Sequence, residues 1–173
     1  MDLDIKQHLP PDFDADSKVW IYQSSRLFLV SEVLKMEVLL NEFVSSWNSH
    51  GAAVKGFASI FFGRFIILIA DEKATGVSGC STDSSVRLIK KLEKIFDVDM
   101  FNRQVLAFII KDKIEAIPLA QLKYAVENDF INGNTLYFDN TVLTKHHLET
   151  LWIVAAKNSW LQKYFDKTSE AIS

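Results

Sequence analysis

The sequence predicts an α+β protein built on a ferredoxin-like βαββαβ unit at about residues 18–111. Three observations point there. Apolar, β-branched runs alternate with two helical patterns in the order β-α-β-β-α-β as far as residue 111, which is the split βαβ arrangement. Hydrophobic residues make up 49% of the 173 positions, with thirteen Phe and four Trp, so a sizeable core is available. Breakers fall where the runs end, at His50-Gly51 and at Gly63-Arg64. A small C-terminal unit of a hairpin plus helices, 112–173, is expected to pack on this domain, and residues 1–17 to form an N-terminal arm.

The arm carries Pro10-Pro11 and the acidic cluster Asp12, Asp14 and Asp16, and reads as extended or partly mobile. Val19-Trp20-Ile21-Tyr22-Gln23 is a strand by its aromatic and β-branched content. Ser31 stands as an N-cap with Glu32 in the first turn. Met36, Leu40, Phe43 and Trp47 then share one helical face, and His50-Gly51 supplies the stop. Val54–Phe62 and Phe65–Asp71 are strands joined at Gly63-Arg64. A helix is expected from about Asp83 to Phe96, its apolar face formed by Leu88, Ile89, Leu92, Ile95 and Phe96. Gln104–Lys111 reads as a strand that Asp112 turns back into Ile114–Ile117. A short helix opens at Pro118 and runs to about Asn128, Pro suiting a first helical turn. Asn132-Gly133 marks a turn before the strand Thr135–Phe138. A last helical region begins at Thr144 and extends to about Tyr164, its phase shifting near Asn158-Ser159.

The central runs are apolar on both sides. Ile66, Leu68 and Ala70 point one way while Phe65, Ile67 and Ile69 point the other, and Gln104–Lys111 behaves alike. A two-layer sheet alternates apolar with polar. The second face therefore needs a cover, either the C-terminal unit or a second copy in a homodimer.

No apolar run approaches the roughly 20 residues that span a bilayer. The start, Met1-Asp2-Leu3-Asp4, lacks the basic and apolar blocks of a signal peptide. One cysteine excludes an internal disulfide, and these features together predict a cytoplasmic protein. The net charge of −3 argues against a general nucleic-acid binder, which needs clustered Lys and Arg.

Several motifs resemble a known group. Val19-Trp20-Ile21-Tyr22-Gln23-Ser24, Gly79-Cys80-Ser81-Thr82-Asp83-Ser84-Ser85-Val86, Phe101-Asn102-Arg103, Thr135-Leu136-Tyr137-Phe138-Asp139-Asn140 and Ser159-Trp160-Leu161 are similar to a family of uncharacterised bacterial proteins often labelled "ABC transporter ATPase". The residues exclude what that label implies. Such an ATPase needs G-x-x-x-x-G-K-[ST] to cradle phosphates, and none of the six glycines is followed by Lys-Ser or Lys-Thr. From about Ile110 to Trp160 the chain also resembles a shortened GYF-like module, through Ile117-Pro118-Leu119, Thr135-Leu136-Tyr137 and a late Trp. That likeness implies docking of proline-rich or other peptide segments on aromatics.

The stretch Ala74–Val86 is the leading candidate site. It holds two glycines, the only cysteine and a run of hydroxyls ahead of a helix. Helix N-terminal amides beside Ser81, Thr82, Ser84 and Ser85 suit an anion. Helix capping by these residues is the competing reading, and Asp83 favours it, since its carboxylate can occupy the positive helix end itself. Arg87, Lys90, Lys91 and Lys94 follow at i, i+3, i+4 and i+7 as a basic stripe, or as a solvated face. The candidate ligand-binding set is Gly79, Cys80, Ser81, Thr82, Ser84, Ser85, Arg87 and Lys91, for a protein partner or a small anionic ligand.

Two alternatives stay open. Cys80 at a helix start suits a thiol nucleophile, with His50 the one histidine to serve as its base. Lys55-Gly56-Phe57-Ala58-Ser59-Ile60-Phe61-Phe62 resembles an RNA-recognition signature, with Trp20 and Tyr22 as stacking partners, but Ser59 stands where an aromatic is needed. His146-His147 are adjacent and point apart on a helix, so no metal site is expected, and no cofactor either.

Overall fold

A computed structural model describes residues 1–71, 73 and 79–166, with the backbone alone for Gly79, Cys80 and Ser81. The chain is α+β. In order come β1 (Lys18–Gln23), α1 (Val30–Ser46), β2 (Asn48–Ser49), β3 (Ala52–Ala53), β4 (Lys55–Phe61), β5 (Phe65–Asp71) and α2 (Gly79–Phe96). There follow β6 (Val105–Ile110), β7 (Lys113–Pro118), α3 (Leu122–Glu127), β8 (Leu136–Phe138), α4 (Lys145–Leu151) and β9 (Ile153–Ala155). Among the described residues no helix is long and apolar enough to cross a membrane.

Two compact units interleave along the chain. One comprises His8–Asn102 with Asn140–Glu149, the other Met1–Gln7, Arg103–Asp139 and Thr150–Ser173. The boundary expected at 111–112 falls within the β6–β7 hairpin, whose strands pair from Val105↔Pro118 to Ile110↔Lys113.

The first unit is organised by β5. Every residue of Phe65–Asp71 is buried, and the strand lies between β1 and β4, antiparallel to both. This is a split βαβ, with β1 and β4 running the same way and β5 inserted between them. Tyr22, Ile66, Leu68 and Ala70 form one core face with Met36 and Leu40 of α1 and Leu88, Ile89 and Leu92 of α2. The opposite residues, Val19, Ile21, Phe65, Ile67 and Ile69, are buried too.

The ferredoxin-like expectation fails at its last strand. The sheet has three strands, and β6 belongs to a four-stranded sheet of order β7-β6-β8-β9. The reason is local. Lys111 and Asp112, both with left-handed φ (51° and 61°), turn β6 directly back into β7, and a hairpin partner is reached at far lower chain-closure entropy than a distant edge. The outer side of β1 is taken instead by the later segment: Val19 N–H donates to Leu143 O (2.9 Å) and Lys145 N–H to Ser17 O (2.9 Å).

Residues of the expected N-terminal arm make contacts with the first unit's sheet. Leu9 and Phe13 are buried. Lys55 reaches Asp12 at 3.1 Å and Asp71 at 3.4 Å, and Lys73 reaches Asp14 at 2.7 Å. The acidic cluster that reads as a solvated arm therefore supplies partners for cations at the ends of β4 and β5.

Other boundaries differ from expectation for identifiable reasons. Helix α1 begins before Ser31, with Leu29 as its N-cap, because the Glu32 carboxylate accepts the Leu29 N–H (2.8 Å) and satisfies that end. It stops at Ser46, and His50-Gly51 forms the turn of the small β2–β3 hairpin. At Phe62-Gly63, positive φ values of 53° and 60° make the tight β4–β5 turn. Gly56 lies against Trp47, where a Cβ would come 2.5 Å from the indole. The last helical region is α-helical only over Lys145–Leu151; Ile153–Ala155 interrupts it and pairs with β8, and short 3-10 turns at Ala156–Asn158 and Trp160–Tyr164 follow on either side of Ser159. The continuous apolar run Trp152–Ala156 fits a buried strand as well as a helix.

Both helix ends at one corner are joined by Arg26. Its guanidinium forks onto Glu32 (2.7 and 2.8 Å) and donates to the Phe96 carbonyl at the end of α2 (2.6 Å). This bidentate bond and the Leu29 N–H pull the Glu32 carboxyl from its ordinary 4.5 down to about 2. A depressed carboxyl contributes stability that is complete above its unfolded value and is lost as pH falls through the folded one. Glu32→Gln should therefore lower Tm at neutral pH relative to the parent. The gap should narrow below pH 4.5 and close near about 2, read by thermal melts across that range.

Candidate functional site

Helix α2 carries the expected candidates, and its start changes their roles. It begins at Gly79, so Ser84 and Ser85 lie in its second turn. An α-helix leaves its first four N–H groups without an intrahelical partner. The expected turn at 74–78 lies outside the described residues, as do the side chains of Gly79, Cys80 and Ser81.

Ser85 belongs to the core. It is fully buried, its hydroxyl 2.7 Å from the Thr82 carbonyl and 3.2 Å from the Tyr22 hydroxyl. A serine has one proton. Because the Thr82 carbonyl can only accept, Ser85 donates to it and receives the bond from Tyr22. This chain fastens the second turn of α2 to β1. Thr82 is half-buried and contributes its carbonyl.

Ser84, Arg87 and Lys91 point elsewhere. They line an open groove of about 420 Å³ between α1 and α2. Half-buried Leu39 and Phe43 of α1 supply its apolar surface, with Leu88 and Leu92 of α2 buried beneath it and Glu42 and Ser46 on the α1 side. The spacing follows from the helical repeat. Leu88 and Leu92 are one turn apart facing the core, and Ser84, Arg87 and Lys91 form the adjoining row at i, i+3 and i+7. Arg87 donates to the Ser84 hydroxyl at 3.2 Å, holding the guanidinium along this row.

The basic stripe continues outside the groove. Arg87, Lys90, Lys91 and Lys94 surround a second shallow depression with Ile95, which is 38% exposed and so departs from the expected core face. None of these four cations forms an ion pair with a described carboxylate. Glu93, on the same helix, accepts the Met100 N–H at 2.7 Å.

The α1 wall of the groove is not legible from its own pattern. Phe43 shares a face with Met36 and Leu40, and nothing local says that its flank meets α2. The available signal is topological: in a split βαβ order both helices cross the same sheet face, so their adjoining flanks meet.

The other two readings find less support in the geometry. Trp20, paired with Leu68, and Phe57, paired with Ile69, stand on opposite faces of the sheet, so they cannot stack neighbouring bases together. Trp20 packs on Trp47, with ring centroids 5.9 Å apart. For the thiol reading, Cys80 is placed in the first turn of α2, and its sulfur lies outside the described atoms.

Comparison with family models, curated proteins and solved structures finds no significant match to this chain.

Ser85→Ala removes the bond between the Ser85 and Tyr22 hydroxyls and should destabilise the fold by about 1–3 kcal/mol. Urea denaturation should show a lower midpoint with an unchanged slope. An unchanged midpoint would mean that the Tyr22–Ser85 bond does not hold α2 to β1.

Proposed function

We propose that the chain is a non-enzymatic cytoplasmic binding module whose α1–α2 groove takes an acidic amphipathic peptide segment from a protein partner. The observation that supports this reading is one combination: the half-buried side chains of Leu39 and Phe43, over a buried floor of Leu88 and Leu92, edged by Arg87 and Lys91, cations without ion-pair partners among the described residues. An apolar groove offers burial to the hydrophobic side of a segment, as in helix-in-groove recognition. The cations supply the sign preference and the encounter rate. Lys90 and Lys94 extend the positive surface beyond the groove. Glu42, the one carboxylate among the lining residues, sits on the opposite wall and favours a single orientation of the segment. The helix bearing the cations also carries the Gly79–Val86 motif, so membership of the bacterial family that the motifs resemble belongs to the same proposal.

The test is fluorescence anisotropy with a labelled amphipathic peptide of leucine and glutamate, and with its lysine counterpart. The glutamate peptide should bind and weaken as salt rises, since exposed charges are screened. The double change Arg87→Glu and Lys91→Glu should reduce its affinity roughly tenfold, two reversed surface contacts each being worth up to about 1 kcal/mol. Equal binding of both peptides, or unchanged affinity in the double variant, would refute the groove as the site.

A further inference from the structure

A second concavity, of about 500 Å³, lies in the other unit beside the β6–β7 hairpin and α3. Two large rings stand in it with little core contact: Tyr124 is 63% and Phe130 61% exposed. Their centroids are 6.3 Å apart and their planes differ by 26°. Glu115 and Asp129 line the same concavity, and Lys111 is the single cation among its lining residues. Neither carboxylate has an ion-pair partner among the described residues. Asp129 also follows the C-terminal end of α3, its N–H bonded to the Val126 carbonyl, where the helix dipole is already negative. The surroundings of the two rings are thus negative, and aromatic faces themselves attract cations.

The adjoining strand is incomplete. β7 is an edge of the four-stranded sheet. In a hairpin with a two-residue turn the flanking residues form a hydrogen-bonded pair, here Ile110 and Lys113, and bonding alternates from there. Lys113, Glu115 and Ile117 therefore bond inward to β6. Ile114 and Ala116 direct their N–H and C=O groups away from it. Pro118, which has no N–H, occupies an outward position, as edge strands allow. No described residue elsewhere bonds to the Ile114 or Ala116 backbone.

We propose that this edge and concavity bind an extended basic peptide segment. Its backbone pairs with Ile114 and Ala116, and an arginine or lysine side chain lies on Tyr124 and Phe130 between Glu115 and Asp129. Strand addition supplies sequence-tolerant backbone bonds, and the ring-and-carboxylate pocket selects the cation. The site belongs to a different unit from the α1–α2 groove and prefers the opposite charge.

The test uses the full chain and a fluorescein-labelled short peptide alternating arginine and valine, with a glutamate–valine peptide as its counterpart. The arginine peptide should bind and slow hydrogen exchange at Ile114 and Ala116, while the glutamate peptide should not bind this edge. The double variant Glu115→Gln, Asp129→Asn should weaken binding about tenfold, and Tyr124→Ala by a similar factor. Asn accepts the left-handed φ of 57° at position 129, so this variant separates lost charge from lost fold, with an unchanged circular dichroism melt as the check. Equal binding of the two peptides, affinity unaltered in both variants, or no protection at Ile114 and Ala116 would each overturn the proposal.

Discussion

The double-sided burial of β5 is the constraint on which the first unit depends. A strand reading Phe65-Ile66-Ile67-Leu68-Ile69-Ala70 cannot stand at an edge or face water on either side. Each of its large side chains contributes about 1.5–3 kcal/mol when fully buried, and Phe65, Ile66, Ile67, Leu68 and Ile69 are all at 0% exposure. The strand therefore takes a neighbour on each edge, and α1 and α2 cover its Ile66, Leu68 and Ala70 face. Its end shows what this costs: Asp71 is carried into the interior at 5% exposure. Its carboxylate is met there by the Asp14 N–H (3.3 Å), the Lys73 N–H (3.2 Å) and the ammonium of Lys55 (3.4 Å). A buried charge without such partners is strongly destabilising. That requirement is what fastens the N-terminal residues to the sheet.

The same constraint makes the groove. Because α1 and α2 must both cover the Ile66, Leu68 and Ala70 face, they lie side by side with their inward surfaces occupied. Arg26 joins the start of α1 to the end of α2. What remains for function is the pair of adjoining flanks. On α2 that flank is cationic, and on α1 it is apolar with one carboxylate. The hydroxyl run is divided by helical phase: Ser85 turns inward to Tyr22 while Ser84 turns toward the groove. Residues adjacent in sequence thus serve stability and recognition separately.

Much of this is legible in the sequence, for reasons that also mark the limits. Strands β4 and β5 and the core residues Leu88, Ile89 and Leu92 follow from runs and periodicity, which report burial directly. Pairing partners do not follow, because an apolar run such as Val105–Ile110 says that a strand is buried and not in which sheet. Asp112 is readable as a turn, yet the weight of the β-α-β-β-α-β order masks its consequence, that the hairpin takes β6 away. Asp12 and Asp14 look like a solvated arm because ion partners more than 40 positions distant leave no local pattern. Of the candidate site, the basic row Arg87 and Lys91 is visible on a helical wheel. Its apolar counterpart, Leu39 and Phe43, depends on which flank of α1 meets α2.

The two concavities recommend opposite ligands, one edged by Arg87 and Lys91, the other by Glu115 and Asp129. Under the two proposals the chain holds two segments of opposite charge, one in each unit. The central question is whether α2 works through its middle or through its N-terminal amides. Hydrogen exchange read by mass spectrometry, on the full chain with and without the leucine–glutamate peptide, decides between them. We expect slowed exchange in residues 39–46 and 84–92, the two sides of the groove. Protection confined to residues 79–82, or none in either helix, would contradict this view of the site.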